Sequence, residues 1–480
     1  MSTAAVVTRF APSPSGEVHL GNVRTALFNF LLARRHGGRF VLRIEDTDES
    51  RSQERFVDAV CADLTWLGLT WDEGPDRGGP AAPYRQSQRA EVYRQLFQQL
   101  ESGQDVYPCF CTSVELELSR RAQRAAGQAP RYAGTCRALS AAQRSARAAQ
   151  GHSATLRFRV PEGQRLHFDD LVHGPQSFAT DDIGDFIIRR EDGNAAFLFS
   201  NAVDDALMQV SHVLRGEDHL TNTPRQRLVL QALGLPAPQY GHVSLLIGAD
   251  GAPLSKRHGA QSVRELREAG YAARAICNHL FRLGHSTPDN TLLTLKQMAA
   301  AFRLEHLQRA SAHFEPAQLR HWQSEWVHAL SAQEARAWLA PLLPPAVTAA
   351  QVDAFIAAVR PNVLLTEDVR QWHEVVFGDA LAFEEPALRA AREAGTEFFT
   401  AAAAALGGAA GAGAAGSAAA QPDLLSALRS ATGRRGAAFF MPLRAALTGR
   451  LHGPELAPLL AAMPAERVRA RLMHFARPSA

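Results

Sequence analysis

The sequence contains very little lysine. Of the 51 residues that are lysine or arginine, only Lys256 and Lys296 are lysine. We attribute this bias to coding composition, so each lysine that is present is more informative here than in an ordinary protein. The net charge of +3 is also small, which argues against a protein that coats nucleic acid but leaves room for a local basic face.

Long apolar runs are absent as well. No stretch of about 18 apolar residues occurs, so we expect no transmembrane helix and no membrane partner. The N-terminal "MSTAAVVTRFAPSP" lacks the basic, apolar and small-residue order of a secretory signal. These two features predict a soluble, cytoplasmic protein.

Cysteine is scarce too. The chain has five cysteines, and three of them lie between residues 109 and 136. An odd number clustered in this way does not suggest a disulfide framework. We expect thiols or metal ligands in a reducing compartment.

The order of elements predicts an α/β fold. At 480 residues the chain is too long for one core and predicts about two to four domains. Residues 5–48 contain the β-rich run "AAVVTRF", the loop "PSPSG", the helical run "NVRTALFNFLLARRHGG" and a second β-run "RFVLRI". A crossover of this kind joins parallel strands. A second mixed region lies near residues 184–248, so we predict a doubly wound parallel sheet that is interrupted by an insertion.

The remainder of the chain, from about residue 260, has almost entirely helical patterns. The tract "AAAAALGGAAGAGAAGSAAA" at 401–420 is of low complexity and predicts a flexible or partly helical linker. Residues 421–480 contain nine arginines against three acidic residues, a balance of +6. This balance is consistent with a helical nucleic-acid contact, although a merely solvated surface is the alternative.

His19 lies at the turn between the first β-run and the first helix, in "EVHLGNVR". A helix that begins at Gly21 and Asn22 would present unpaired backbone N–H groups and the positive end of its dipole, which suits a phosphate. Gly21 would allow a ligand to approach the backbone, with His19 beside it as a donor. The alternative is a capping turn with a surface histidine.

Lys256 lies in a second polar stretch, "APLSKRHGA". On its own such a stretch most often forms an exposed loop. It follows His19 by roughly 235 residues, however, and together the two stretches resemble the HIGH and KMSKS signatures of class I aminoacyl-tRNA synthetases.

Further blocks narrow this resemblance. The segments "RFAPSPSGEVHLGNVRTALFN", "RIEDTD", "WLGLTWDEGP", "PYRQSQR" and "NAVDDALMQVSHVLRGEDHLTNTPRQ" closely resemble bacterial glutamyl-tRNA synthetases, as does "LSKRHGA". Dense blocks extend over about residues 6–330, and the resemblance returns in "FFMPLRAALTGRLHGPEL" at 439–456. The region from 330 to 435 matches only in its helical character.

The resemblance implies a Rossmann-type doubly wound sheet with an inserted acceptor-binding domain, followed by an all-α anticodon-binding region. The implied domains are the first catalytic half at 1–95, the insertion at 96–190, the second catalytic half at 191–250, a stem-contact domain at 251–330 and the anticodon-binding domains at 331–480.

The implied activity is that of a glutamate–tRNA ligase. Glutamate attacks the α-phosphate of ATP to form glutamyl-adenylate, and a ribose hydroxyl at the 3′ end of tRNA(Glu) then takes the glutamyl group. The family resemblance also implies Mg²⁺ that arrives with ATP, and a monomer. No protein nucleophile is needed, since the phosphoryl step requires positioning and positive donors.

Site residues are carried over from the matching motifs. His19 and Lys256 are the expected catalytic residues, and the remaining ATP contacts are Gly21, Asn22, Asp218, Leu246 and Ser255. The expected glutamate contacts are Arg9, Ser13, Glu45, Phe197, Asn201 and Arg215. Arg9 and Arg215 would hold the side-chain carboxylate, for which a planar guanidinium is better suited than an ammonium.

Three positions depart from the family pattern. Pro253 replaces the first lysine of the KMSKS-type pentad, and Phe197 stands where relatives often have a tyrosine. Asn362, in "VRPNV", matches a position where enzymes restricted to tRNA(Glu) tend to have arginine. We therefore expect Asn362 to bear on the choice between tRNA(Glu) and tRNA(Gln).

The clustered cysteines resemble the zinc site in the insertion of some family members. Cys109, Cys111 and Cys136 are the expected ligands, and Tyr132 is the expected fourth because the usual histidine is replaced by Ala138. The alternative is a degenerate site of free thiols.

Other functions in the same class remain as alternatives. A tRNA(Gln)-directed or non-discriminating enzyme is kept open by Asn362. A short paralogue that modifies a tRNA base is disfavoured by the 220 or so residues that follow Lys256, and a glutaminyl enzyme by the helical C-terminal region. From a different functional class, a catalytically inactive synthetase paralogue that only binds tRNA is disfavoured by the presence of His19, Lys256, Arg9 and Arg215 together.

Overall fold

The computed structural model describes residues 5–48, 50–149, 153–248, 250–252, 254, 261–344, 347–409 and 421–477. The predicted site residues Ser255 and Lys256, and Pro253 with them, lie outside this range. The chain divides into two compact units, one of Met1–Leu266 with Ala273–Leu319 and one of Arg267–Ala272 with Arg320–Ala480.

The first unit mixes strands and helices. Its strands are β1 Val7–Phe10, β2 Arg39–Leu42, β3 Val106–Cys109, β4 Thr155–Phe158, β5 Arg165–Asp170, β6 Gly174–Ala179, β7 Phe186–Arg189, β8 His212–Gly216, β9 Gln239–Val243, β10 Leu246–Ile247 and β11 Ala312–His313. The helices up to residue 301 are α1 Leu20–Arg35, α2 Glu54–Trp66, α3 Ala90–Ser102, α4 Ser113–Ala125, α5 Ala141–Ala149, α6 Thr180–Ile183, α7 Phe197–Leu207, α8 Thr223–Ala232, α9 Val263–Glu268, α10 Ala273–Arg282 and α11 Leu295–Ala301.

Two parallel strand pairs lie side by side in this unit. β1 pairs with β2, with Val7 opposite Arg39, and β8 pairs with β9, with His212 opposite Gln239. The backbone N–H of Ser211 donates to Val7 O at 2.9 Å, which places β8 next to β1. Because α1 connects β1 to β2, the predicted strand-helix-strand crossover between parallel strands is confirmed.

One buried asparagine fixes α1 to the neighbouring strand. Asn29 Nδ2 donates to Leu214 O at 2.8 Å, and Asn29 Oδ1 accepts from Leu214 N at 3.3 Å. An amide side chain that satisfies both backbone groups of one residue holds β8 at a defined height against the helix. The strand that carries Arg215 is thereby positioned from α1.

The segment between the two parallel pairs forms antiparallel structure. β3, β4 and β7 make a three-stranded sheet, and β5 and β6 make a hairpin. β7 falls at the start of the second mixed region that the sequence predicted, yet it pairs with β4 rather than with a parallel strand. Alternating apolar residues in a short strand do not specify its partner, so sequence pattern could not distinguish the two arrangements.

The second unit is helical. The helices from residue 316 onward are α12 Pro316–Ala329, α13 Ala332–Leu339, α14 Ala349–Val359, α15 Thr366–Phe377, α16 Glu385–Ala394, α17 Thr396–Ala409, α18 Gln421–Thr432, α19 Ala437–Thr448, α20 Leu456–Ala462 and α21 Ala465–Ala476. The helical C-terminal region predicted from the sequence is therefore confirmed. In the low-complexity tract, residues 401–409 belong to α17 with Ala402 and Ala403 buried, and residues 410–420 lie outside the described part.

A membrane-spanning helix was not expected. Across the described ranges, none of the helices combines the length and the apolar character that crossing a bilayer requires.

Candidate active site

The turn before α1 brings His19 over Gly21. α1 begins at Leu20, one residue before the predicted start, and His19 precedes it in an extended conformation with φ −93° and ψ 163°. The side chain of His19 makes no capping hydrogen bond, so the imidazole does not act as the helix cap. A Cβ on Gly21 would lie 3.2 Å from the imidazole, so glycine leaves the space that the ring occupies.

The chain that follows the second signature motif returns to this turn. Ser262 forms an antiparallel β-bridge with His19, and Val263 N donates to Val18 O at 3.4 Å. Two segments more than 240 residues apart in sequence therefore meet at the N-terminal end of α1. Ser255 and Lys256 precede this contact but are not among the described residues.

Arg9 and Arg43 share one buried carboxylate. Arg9 on β1 contacts Asp205 of α7 through Nε at 3.2 Å and Nη2 at 3.3 Å, and Arg43 Nη1 lies 2.6 Å from Asp205 Oδ1. Burial alone would raise the pKa of Asp205, but the two guanidinium groups outweigh it and lower that pKa. Arg9 therefore has an internal counter-ion.

Glu45 continues this network. Glu45 Oε1 accepts hydrogen bonds from Arg43 Nη2 at 3.0 Å and from Asn201 Nδ2 at 2.6 Å, and Gln226 Nε2 donates to Asn201 Oδ1 at 2.8 Å. Burial dominates over these contacts and raises the pKa of Glu45. The structure thus brings Arg9, Glu45 and Asn201 into one buried cluster.

Arg215 on β8 has a different set of partners. Its Nε donates to His242 Nε2 at 3.2 Å, and its Nη2 donates to Thr223 Oγ1 at 2.7 Å. Nη1 is buried and has no hydrogen-bond partner among the described residues. Burial lowers the pKa of Arg215 to about 10. The nearby charge of Arg9 also lowers this pKa, whereas those of Asp205 and Glu45 raise it. A buried donor without an acceptor is costly, so this edge of the guanidinium suits an acidic ligand.

The other predicted contacts in the first unit are more scattered. Ser13 and Asp218 are exposed, and Leu246 is buried on β10. Phe197 begins α7, and its ring lies 5.4 Å from that of His219. The cluster formed by Arg9, Glu45, Asn201 and Arg215 is therefore better defined than the outer contacts.

Sequence reasoning missed four residues that support this cluster, namely Arg43, Asp170, Asp205 and His242. Asp205 could have been suspected because two adjacent aspartates occur in the apolar "NAVDDALM", where buried acids need cationic partners. Nothing in the sequence pairs Asp170 with His242, which lie 72 residues apart.

The three clustered cysteines also meet in the first unit. The Sγ atoms of Cys109, Cys111 and Cys136 all lie within 4.8 Å of one another, with Cys111 and Cys136 only 3.6 Å apart. Tyr132 Oη lies 3.4 Å from Cys109 Sγ and 3.6 Å from Cys111 Sγ, and it accepts the backbone N–H of Cys136 at 2.8 Å. The four residues predicted as metal ligands are therefore brought together.

The charge environment of this cluster favours one thiolate. Burial opposes the ionisation of Cys109, but hydrogen bonds from Tyr132 and Arg157 outweigh it and lower the pKa to about 7. Burial instead raises the pKa of Cys111 to about 12. The Arg157 guanidinium also lies 3.8 Å from the centre of the Tyr132 ring. Three sulfur ligands at these separations could hold a soft divalent metal ion.

Asn362 lies in the second unit. It ends the short 3₁₀ helix Arg360–Asn362, and its side chain is exposed. The residue expected to bear on tRNA choice is therefore accessible to a ligand of that unit.

Two family descriptions match consecutive parts of the chain. The catalytic domain of class I tRNA synthetases (E and Q) matches residues 5–321, and an anticodon binding domain matches residues 330–476.

Proteins named as glutamate–tRNA ligases match this chain over nearly its full length. Glutamate–tRNA ligase 2 of Nitrosococcus oceani is 55% identical over 99% of this chain and 99% of its own. Glutamate–tRNA ligase 2 of Alkalilimnicola ehrlichii is 55% identical over 98% of each chain. The crystal structure of glutamate-tRNA synthetase from Elizabethkingia anophelis superposes with a TM-score of 0.87 at 27% identity, covering 98% of this chain and 99% of that one. This chain therefore belongs to the class I tRNA synthetases of the glutamate and glutamine family.

Proposed function

We propose that this chain is a glutamate–tRNA ligase that charges tRNA(Glu). In the first step an oxygen of the glutamate α-carboxylate bonds to the α-phosphorus of ATP, and pyrophosphate leaves. In the second step a ribose hydroxyl of the terminal adenosine attacks the glutamyl carbonyl, loses its proton and releases AMP. The reaction thus conserves the anhydride energy of ATP in the ester bond to tRNA.

The buried Nη1 edge of Arg215 is the observation that carries this proposal. It lies in a cluster that also contains Arg9, Glu45 and Asn201, so a bound amino acid would meet cations for a carboxylate and an acceptor for an ammonium. Arg215 would bind the side-chain carboxylate, with Arg9 adding positive charge nearby. Glu45 would accept from the ammonium group.

The phosphates of ATP belong at the start of α1 in this proposal. Backbone N–H groups near Gly21, the imidazole of His19 and the amide of Asn22 would surround them, because a helix N-terminus favours an anion. Lys256 and Ser255 would add donors to the phosphates, and Asp218 and Leu246 would contact the nucleoside. Mg²⁺ bound with ATP supplies further neutralisation of the phosphate charge.

The full-length relatives named glutamate–tRNA ligase support the same activity. At 55% identity across both lengths, these proteins share the catalytic and the anticodon-binding parts with this chain. An inactive tRNA-binding paralogue is not favoured, because the buried Nη1 edge of Arg215 would then have no ligand.

The activity is tested by ATP–pyrophosphate exchange with glutamate in the presence of tRNA. Replacement of Lys256 by alanine should slow the exchange at least about 100-fold, since one cationic donor to the developing charge is removed. Lys296→Ala is a matched control, because Lys296 is the other lysine of the chain and is exposed on α11. Absence of exchange with glutamate and any tRNA would overturn the proposed function.

We also propose that the cysteine cluster holds a structural Zn²⁺. A Zn–S distance of about 2.3 Å places two sulfurs of a tetrahedral site about 3.8 Å apart. The 3.6 Å between Cys111 and Cys136 is close to that separation, and Tyr132 Oη lies at a similar distance from two of the sulfurs. Tyr132 is therefore the proposed fourth ligand.

The tRNA preference is a separate question. Asn362 is exposed, and its amide is neutral, whereas the arginine that the family resemblance implies for enzymes restricted to tRNA(Glu) would be positively charged. Charging purified tRNA(Glu) and tRNA(Gln) side by side, with wild type and Asn362→Arg, tests this choice. Equal charging of both by the wild type would replace tRNA(Glu) specificity with a non-discriminating activity. Light scattering of the free enzyme tests the proposed monomer.

A further inference from the structure

Arg9, Arg43, Arg89 and Arg215 are almost completely buried in the first unit, and three of them contact a carboxylate. Arg9 and Arg43 bind Asp205, and Arg89 Nε contacts Asp204 Oδ1 at 2.7 Å. Arg215 is 5% exposed, and within the described ranges its hydrogen-bond partners are the neutral side chains of Thr223 and His242. Among these four arginines, Arg215 is therefore the one without a carboxylate partner in the described ranges.

The protonation of His242 follows from its other contact. His242 Nδ1 lies 2.5 Å from Asp170 Oδ2, and Asp170 also accepts the backbone N–H groups of Val172 and His173 at 2.9 and 2.8 Å. These contacts stabilise an ionised Asp170, which can only accept, so Nδ1 of His242 must carry the proton. Burial lowers the pKa of His242, which favours the neutral ring with an acceptor at Nε2.

The neutral ring of His242 orients Arg215 through its Nε2 atom. It holds the Nε–H in place without cancelling the positive charge, and Thr223 does the same for Nη2. Both Asp170 and His242 are almost completely buried, so water does not compete for these contacts. Nη1 is left as the edge of the guanidinium without a hydrogen-bond partner among the described residues.

We propose that Asp170 and His242 position Arg215 and keep its charge available, so that the site prefers the side-chain carboxylate of glutamate over the amide of glutamine. His242 is a positioning residue, since it acts through Arg215 and does not itself contact substrate. A carboxylate at position 242 would satisfy the guanidinium internally and weaken its attraction for a second carboxylate. This inference rests on the proposed function.

Two substitutions at position 242 separate positioning from packing. In His242→Asn the amide can still donate to Asp170 but is too short to accept from Arg215. In His242→Gln the longer side chain can place an oxygen near the former Nε2. The KM values for glutamate and for ATP, kcat for tRNA charging and inhibition by glutamine are measured for both variants. Asp170→Asn provides a third, isosteric arm that remains informative if His242→Asn does not fold.

The expected pattern is selective. His242→Asn raises the KM for glutamate at least about tenfold, with kcat and the KM for ATP within about twofold of wild type, and glutamine becomes a relatively stronger inhibitor. His242→Gln returns the glutamate KM to within about threefold of wild type, and Asp170→Asn raises it about threefold or more. His279→Asn is the control. His279 is a buried histidine of α10 that packs on Phe314, so its substitution should leave the glutamate KM unchanged.

Several outcomes would overturn this inference. An unchanged glutamate KM in His242→Asn, or equal impairment in His242→Asn and His242→Gln, contradicts a positioning role. A parallel loss of kcat and of ATP affinity would indicate structural damage instead. If the wild type charges no tRNA with glutamate, the proposed function fails and this inference fails with it, whereas an active wild type with insensitive variants overturns the inference alone.

Discussion

Two parts of the same buried site handle positive charge in different ways. Around Asp205, the guanidinium groups of Arg9 and Arg43 are held by a carboxylate within the protein. Around His242, the guanidinium of Arg215 is held by neutral acceptors, and one of its edges is left without a partner among the described residues. Burying an unpaired charge is costly, so a ligand carboxylate at this edge would lower that cost. The first arrangement pairs its cations within the protein, and the second leaves one cationic edge without a partner among the described residues.

The cysteine cluster belongs with the second arrangement. Three thiols lie close together, and ionising all of them would place several negative charges within a few ångströms. Arg157 is the nearby cation that contributes to lowering the pKa of Cys109. Like Arg215, the cluster therefore has a charge balance that an external ligand, here a metal cation, would improve.

The largest effect should come from removing the shared carboxylate. Asp205→Asn leaves two buried guanidinium groups with a neutral partner, and we expect the free energy of unfolding of the first unit to fall by about 3–5 kcal/mol. Urea denaturation followed by circular dichroism measures this change. The pKa of Asp205 is lowered in the folded state, so its contribution is present above the usual value of 3.8 and is lost as the pH falls through the folded pKa.

An exposed pair provides the control for this substitution. Arg85 contacts Glu54, whose side chain is 62% exposed, so Glu54→Gln should change the free energy of unfolding by less than about 1 kcal/mol. If Asp205→Asn costs no more than Glu54→Gln, the internal pairing at Asp205 is not what stabilises Arg9 and Arg43.

Arg215→Met should change stability little and activity strongly, in contrast to the large loss of stability expected for Asp205→Asn. The substitution removes a buried charge that lacks a carboxylate partner, and Thr223 Oγ1 and His242 Nε2 remain 3.0 Å apart and can bond to each other. We expect the free energy of unfolding to change by less than about 1 kcal/mol. The kcat/KM for glutamate should fall at least about 100-fold, or about 2.7 kcal/mol, because the substrate carboxylate loses its cation.

Arg9→Met is the matched comparison for Arg215→Met. It leaves Asp205 with one cation instead of two, so it should lower the stability of the first unit more than Arg215→Met does. Equal destabilisation by the two substitutions, measured by urea denaturation, would remove the distinction between the two arrangements.

The sequence predicted the parts of this molecule that are encoded locally. The turn "PSPSG" and the apolar runs around it identified the β1, α1 and β2 unit, since proline, glycine and apolar spacing act over a few residues. The order of the motif blocks identified the family. The glutamate contacts carried over from these motifs remain predictions, although Arg9, Glu45 and Asn201 do lie in one network.

The supporting residues could not be predicted because their partners are distant in the chain. Arg43 meets Asp205 across 162 residues, and Asp170 meets His242 across 72. No periodic pattern links positions at such separations, and the pairing follows from how the strands and α7 are packed.

A smaller effect is expected at the cysteine cluster. Tyr132→Phe removes the proposed fourth ligand and should weaken Zn²⁺ binding at least about tenfold, or about 1.4 kcal/mol, while the three cysteines continue to bind. Competition with a chromophoric chelator measures the affinity. Tyr107→Phe is the control, because Tyr107 is a buried neighbour of the cysteines whose hydroxyl donates to Asp185. Equal affinity in wild type and Tyr132→Phe would exclude the phenol as a ligand.

The smallest effect should come from Glu45→Gln, which tests the network at a carboxylate whose ionisation is disfavoured. The amide oxygen of glutamine can still accept from Arg43 and Asn201, so at pH 7 the free energy of unfolding should stay within about 1 kcal/mol of wild type. Because burial raises the pKa of Glu45 above its usual 4.5, its favourable contribution is full below that value and is lost as the pH rises through the folded pKa. Wild type should therefore gain stability relative to Glu45→Gln when urea denaturation is repeated at pH 5. A loss at pH 7 as large as that of Asp205→Asn would show that Glu45, like Asp205, is a counter-ion that the fold requires.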